Sequence, residues 1–87
     1  TEIEILSESH IIVDGKTSIT HVNELLHTNI ESDGLDTIGG WLYGFHSEIR
    51  KNEPWTYNNL IFIVLEKDKH RIRKVEIQKL DEDQLNE

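Results

Sequence analysis

Asp33-Gly34-Leu35-Asp36-Thr37-Ile38-Gly39-Gly40-Trp41-Leu42-Tyr43-Gly44-Phe45-His46-Ser47-Glu48-Ile49 is the stretch whose reading decides the fold. Ile38, Trp41, Leu42, Phe45 and Ile49 recur at spacings of three and four, the apolar stripe of a helix. Asp36 or Thr37 supplies a capping oxygen at its start. Asn52 and Pro54 are breakers, so the helix should fade by Arg50. Gly39, Gly40 and Gly44 fall inside it, and a mid-helix glycine costs roughly 1 kcal/mol relative to alanine. Such a cost in a short chain points to something packed closely against the backbone: the protein's own sheet, a ligand or a partner. Gly40 and Gly44, one turn apart, leave a smooth patch beside the apolar stripe.

Upstream, Ile3 and Ile5 alternate with glutamates and His10-Ile11-Ile12-Val13 is β-branched, which predicts a hairpin across Ser7-Glu8-Ser9. Asp14-Gly15 ends the second strand, with Gly15 available for a positive φ. Ser18 or Thr20 can cap a first helix over about Ile19 to His27, whose apolar face is Ile19, Val22, Leu25 and Leu26. An acidic connection pivoting on Gly34 leads to the second helix.

Downstream, Trp55-Thr56-Tyr57 is a strand and Asn58-Asn59 a tight turn. Leu60 to Leu65 is apolar on both alternating faces, as in a central strand or one near a helix layer. His70 to Lys79 is the last strand. Ile72 is out of phase with Val75 and Ile77, so a bulge is expected near Arg73 or Lys74. The order β-β-α-α-β-β-β segregates strands from helices and predicts an α+β domain, an antiparallel sheet with two helices on it. The domain is expected over residues 1–79, with 80–87 a frayed acidic tail.

The 87 residues suffice for one small domain. A formal charge of −8 argues against a nucleic-acid footprint and against docking on an anionic bilayer. Without cysteine there is no disulfide framework and no thiolate chemistry. The longest apolar run, Leu60 to Leu65, is far shorter than the ~20 residues of a membrane span. The missing initiator Met fits a domain excised from a longer protein.

Candidate chemistry is sparse. His10, His21, His27, His46 and His70 are scattered, with no His-x-x-x-His pair. The carboxylates of Glu31, Asp33 and Asp36 do not follow a calcium-loop pattern, and capping or solvation explains them. Gly39-Gly40 lacks the following Lys-Thr or Lys-Ser of a phosphate loop, and Asp33 and Asp36 beside it would repel a phosphate. No catalytic constellation stands out, so no catalytic, metal or cofactor-binding residue is assigned. Gly39, Gly40, Trp41, Gly44 and Trp55 are the candidate packing or interface residues, with aromatics typical of contact surfaces.

Several of these segments together resemble one family. Val13-Asp14-Gly15, then Val22-Asn23-Glu24-Leu25-Leu26, resembles its strand-Asp-Gly and Leu-Asn-Glu opening. Asp36-Thr37-Ile38-Gly39-Gly40-Trp41-Leu42 is similar to its central helix. Phe62-x-Val64 and Arg71-Ile72-x-x-Val75-x-Ile77 are similar to its closing hairpin. The family is the CorC/HlyC transporter-associated domain. After the second helix the chain departs from it, with Arg50 where Pro is usual and Asn52 where Gly is usual. The resemblance implies a non-catalytic cytoplasmic module at the C-terminal end of a bacterial membrane protein, after a transmembrane domain and a CBS pair. Such proteins are linked to magnesium and cobalt efflux and often called hemolysin-like. It also implies action by packing or self-association, possible homodimerisation included, rather than direct membrane insertion. The alternative it carries, by fold analogy alone, is binding of FAD or an adenine nucleotide.

Overall fold

The computed structural model describes residues 3–31, 34, 36–69 and 71–80. Of the sequence-based expectations, His70, residues 32, 33 and 35 of the acidic loop and the tail after Leu80 lie outside these residues.

Seven elements follow in the expected order: β1 (Ile3–Ser7), β2 (His10–Asp14), α1 (Ile19–Leu26), α2 (Ile38–Phe45), β3 (Pro54–Tyr57), β4 (Leu60–Lys67) and β5 (Ile72–Lys79). The strands form one antiparallel sheet in the order β1-β2-β5-β4-β3. The last strand made is therefore the central one.

One sheet face is buried under both helices. Ile11, Val13, Phe62, Val64, Val75 and Ile77 meet Ile19, Val22 and Leu26 of α1 and Ile38, Trp41 and Leu42 of α2. Period-two alternation on the strands and three/four spacing on the helices put these residues on facing surfaces. On the other sheet face Ile12, Ile61 and Ile63 are half-buried, and His10 Nε2 lies 2.7 Å from Glu76 Oε2. β4 is thus an interior strand beneath the helix layer on one side only.

Ile72 and Val75 are both buried although three residues apart. The register runs Val64↔Val75, Glu66↔Lys74, Lys67↔Ile72, so Leu65 on β4 and Arg73 on β5 are each passed over. The expected bulge near Arg73 is present and is offset by one on β4. It turns the Arg73 carbonyl to accept from the Gly15 amide at 2.8 Å.

The helix starts are tied together. Ser18 Oγ accepts from the His21 amide at 3.0 Å, and Thr37 Oγ1 from the Gly40 amide at 3.2 Å. Ser18 and Thr37, the two caps, also pair as an isolated antiparallel bridge. Through it the Ile19 amide donates to Asp36 O at 3.0 Å and the Ile38 amide to Thr17 O at 2.9 Å. Each helix thereby satisfies an otherwise orphaned first-turn donor of the other.

Two details differ from the sequence reading. α2 ends at Phe45 rather than persisting toward Arg50. Lys67 Nζ donates to the Ser47 and Ile49 carbonyls at 3.3 and 2.8 Å, which holds a non-helical turn there and still buries Ile49. Gly15 does not take a positive φ; among the described glycines only Gly34 does, at 87°. Gly15 is required for closeness instead, because a Cβ on it would collide with the Ile72 carbonyl.

The loop after α2 turns on Asn52. Asn52 has φ 66°, in the left-handed region where glycine is the least strained residue. Its amide donates to Val64 O at 2.7 Å.

Candidate functional site

The three helix glycines occupy three different environments. Gly39 is buried, and its amide donates to Gly15 O at 2.9 Å. A Cβ there would stand 2.8 Å from Gly15 O and 2.9 Å from Ile72 O. Gly39 is therefore where α2 presses on the β2–α1 turn and the start of β5. Gly40 is exposed; an added Cβ would meet only Thr37 Oγ1, at 3.0 Å. Gly44 is exposed as well. The protein's own sheet is thus the partner of the glycine at position 39, and positions 40 and 44 face outward.

Trp41, Phe45, Trp55, Tyr57 and Phe62 form one plate of tilted and edge-on rings. Trp41 is 1% exposed and lies at its centre. Its ring is 4.7 Å from Phe45, 5.1 Å from Tyr57 in edge contact, 5.4 Å from Phe62 and 6.1 Å from Trp55. Offset and edge contacts of this kind stabilise beyond area burial. The Trp41 indole N–H is buried without a partner. Trp55 and Tyr57, half-buried on the edge strand β3, carry the plate to the surface. Phe45 completes it and stays 52% exposed. Phe45 shares the helical spacing of the core residues, but α2 stops there, and its contacts with Tyr57 at 5.4 Å and Trp55 at 6.3 Å on β3 leave half of it in solvent.

On the other side of Gly40 lies a cleft of about 490 Å³. Its walls are the Asp14–Lys16 turn, the first turn of α2 with Tyr43, and the start of β5 at Arg71 and Arg73. Lys16, Arg71 and Arg73 bring three basic side chains to it. Arg73 Nη1 donates to Asp68 Oδ2 at 3.0 Å. That hydrogen bond first, and then the charge of Asp68, raise the guanidinium above the ordinary arginine value. The main chain of the cleft has little left to offer a ligand. The Ile38, Gly39 and Gly40 amides are already bonded to Thr17 O, Gly15 O and Thr37 Oγ1.

Sequence reasoning did not find this cleft, because Lys16 and Arg71 meet only once β2 pairs with β5. Arg71-x-Arg73, a basic pair in an acidic chain, was the one available signal. A second cleft, of about 530 Å³, lies at the opposite end beside His27, Asn58 and Lys79. There the Lys79 ammonium donates to Leu26 O and His27 O, closing α1. Among the described residues no three His, Asp or Glu side chains converge as a metal site, and no helix is long and apolar enough to cross a membrane.

The family profile of the CorC/HlyC "Transporter associated domain" matches residues 4–81. UPF0053 protein YhdP of Bacillus subtilis (strain 168) is 37% identical over 87 residues, covering 100% of this chain. The chain spans 20% of that relative's length. The transporter-associated domain from Nitrosomonas europaea superposes with a TM-score of 0.79 at 28% identity, covering 91% of this chain and 96% of that one. A region associated with a candidate Mg2+ and Co2+ transporter from Neisseria meningitidis superposes with a TM-score of 0.79 at 22% identity, covering 92% and 100%.

Proposed function

The chain belongs to the CorC/HlyC transporter-associated domain family, and we propose that it is a non-catalytic accessory module of a longer bacterial membrane protein that moves divalent cations. In this reading it lies on the cytoplasmic face, after a transmembrane domain and a CBS pair, and acts by packing on them or on a second copy. Three observations support it. The relative it matches is several times longer. A structural neighbour is the associated region of a candidate Mg2+ and Co2+ transporter. Among the described residues no catalytic set is assembled.

The observation that carries the reading is the plate ending at Phe45. A large aromatic held half in solvent on top of Trp41, beside the open edge of β3, has the composition of an interface anchor. Gly40 and Gly44 flank it on the exposed side of α2, and Trp55 extends it. Trp41 supports it from within, and Gly39 seats α2 on the Gly15 and Ile72 backbone.

The test is cation flux through the full-length protein in vesicles, with the domain intact, deleted, or carrying Phe45→Ala. Deletion should alter Mg2+ flux or its dependence on internal Mg2+, and Phe45→Ala should reproduce part of that change. Unchanged flux and regulation in both would overturn the reading. FAD binding would have to proceed without a main-chain phosphate cradle at Gly39-Gly40, since those amides are engaged within the fold.

A further inference from the structure

We infer that the cleft beside Gly40 is a binding site for a small phosphate monoester, held by the side chains of Lys16, Arg71 and Arg73. The inference is independent of the accessory role proposed above.

The charge distribution is the first argument. The chain has nine basic residues against 17 acidic ones. Three of the nine nevertheless line one cleft, against the carboxylate of Asp14 in its lining and that of Asp68 on Arg73; Asp36, next to the lining Thr37, is outside the lining. Asp14 is partly committed to the backbone, its Oδ1 accepting from the Lys16 amide at 2.7 Å. Among the described residues neither the Lys16 ammonium nor the Arg71 guanidinium has a hydrogen-bond or ion-pair partner. Arg73, by contrast, is ion-paired with Asp68 at the exposed rim of the cleft. Two cations without a partner among the described residues, and one ion-paired at the surface, match an oxyanion with several acceptor oxygens.

The residue at position 40 is the second argument. Thr37 is the cap of α2, so Gly40 is the third helical residue. Glutamate there would complete a reciprocal capping box with Thr37. Even alanine would remove roughly 1 kcal/mol of glycine penalty. The chain instead has glycine, at a place where nothing but the Thr37 hydroxyl lies near the missing side chain. Sheet packing explains Gly39 but not Gly40. What glycine at 40 does is keep the cleft open and free of added charge. Local rules broken without a packing reason are expected where a site must be kept clear.

Size and shape are the third. A volume of about 490 Å³ is within the range of roughly 300–1,000 Å³ typical of small-ligand clefts. Tyr43, half-buried at the wall, offers a flat apolar surface to the organic part of the ester.

The experiment is an amide-resolved NMR titration of the 87-residue chain with inorganic phosphate, with AMP as the monoester, and with adenosine as the same ring system without the anion. AMP should give saturable shifts confined to Gly15, Lys16, Gly39, Gly40, Tyr43 and Arg71 to Arg73, with Kd of ~1 mM or tighter. Inorganic phosphate should shift the same amides more weakly, and adenosine should not. The Lys16→Ala/Arg71→Ala double variant should weaken AMP by at least about tenfold. Gly40→Glu should abolish binding while leaving the melting temperature unchanged or higher, so loss of binding cannot be attributed to unfolding. Three results would overturn the inference: no saturable shift with AMP up to ~10 mM, equal shifts with adenosine, or full binding in Gly40→Glu.

Discussion

Ser18 and Thr37, the caps of the two helices, face each other across an antiparallel bridge, so each helix begins on the backbone of the other. The two starts behave as one junction. Ser18→Ala and Thr37→Val should each cost about 1 kcal/mol by loss of the capping oxygen. The double variant should depart from additivity by at least ~0.5 kcal/mol, because both changes loosen the same bridge. Urea denaturation of the four proteins measures this, and strict additivity would mean that the helices start independently.

Gly39 and Gly40 are neighbours with opposite requirements. Gly39→Ala places a methyl against the Gly15 and Ile72 carbonyls. Backbone cannot yield as a side chain can, so the loss should be ~3 kcal/mol or more, near the upper end of overpacking effects. Gly40→Ala asks that the Thr37 hydroxyl, the cap of α2, give way by a few tenths of an ångström, so the gain in helix propensity is offset by a loosened cap and the net change should lie within about 1 kcal/mol of zero. Thermal melts separate the two by size.

Asn23 organises the exit from α1. Its Oδ1 accepts from Thr28 Oγ1 and the Ile30 amide at 2.9 and 2.8 Å, and its Nδ2 donates to Ile30 O at 3.0 Å. Asn23→Ala should cost about 2–3 kcal/mol through lost bonds and stranded partners near buried Ile30. Asn23→Asp retains both acceptor contacts and loses the donor, so it should cost less. An equal loss in the two variants would show that the donated bond dominates.

Asn52 tests the left-handed turn after α2. Asn52→Gly should be neutral or stabilising by a few tenths of a kcal/mol, since φ 66° suits glycine. Asn52→Val should destabilise by about 1–2 kcal/mol, the cost of a β-branched side chain in that region. Chemical denaturation at matched slopes checks both.

Much of this arrangement was readable in the chain. Ile38, Trp41 and Leu42 announce α2 by spacing alone, and Asn58-Asn59 announces the β3–β4 turn, where Asn58 has φ 54°. The out-of-phase Ile72 locates the bulge because burial on one face forces it. Features set by distant residues were not readable. Phe45 has the period of a core residue, yet its exposure depends on where the sheet ends. The non-helical turn after α2 is held by an ammonium from β4, Lys67, which binds the Ser47 and Ile49 carbonyls. Gly15 reads as a turn glycine but is fixed by the Ile72 carbonyl beyond two helices and a hairpin. The basic cleft exists only through the β2–β5 pairing.

That pairing has a bearing on biosynthesis. A ribosome delivers β1-β2 and β3-β4 as two hairpins, and the strand that joins them emerges last. Until Ile72–Lys79 is available, β2 and β4 each hold an unsatisfied row of amides and carbonyls beside an apolar face. A nascent chain stalled before β5 therefore has two sticky halves and no sheet between them. Its commitment to fold is postponed to the final strand, and nonsense truncations upstream of Ile72 should yield aggregation-prone fragments instead of a weakened domain.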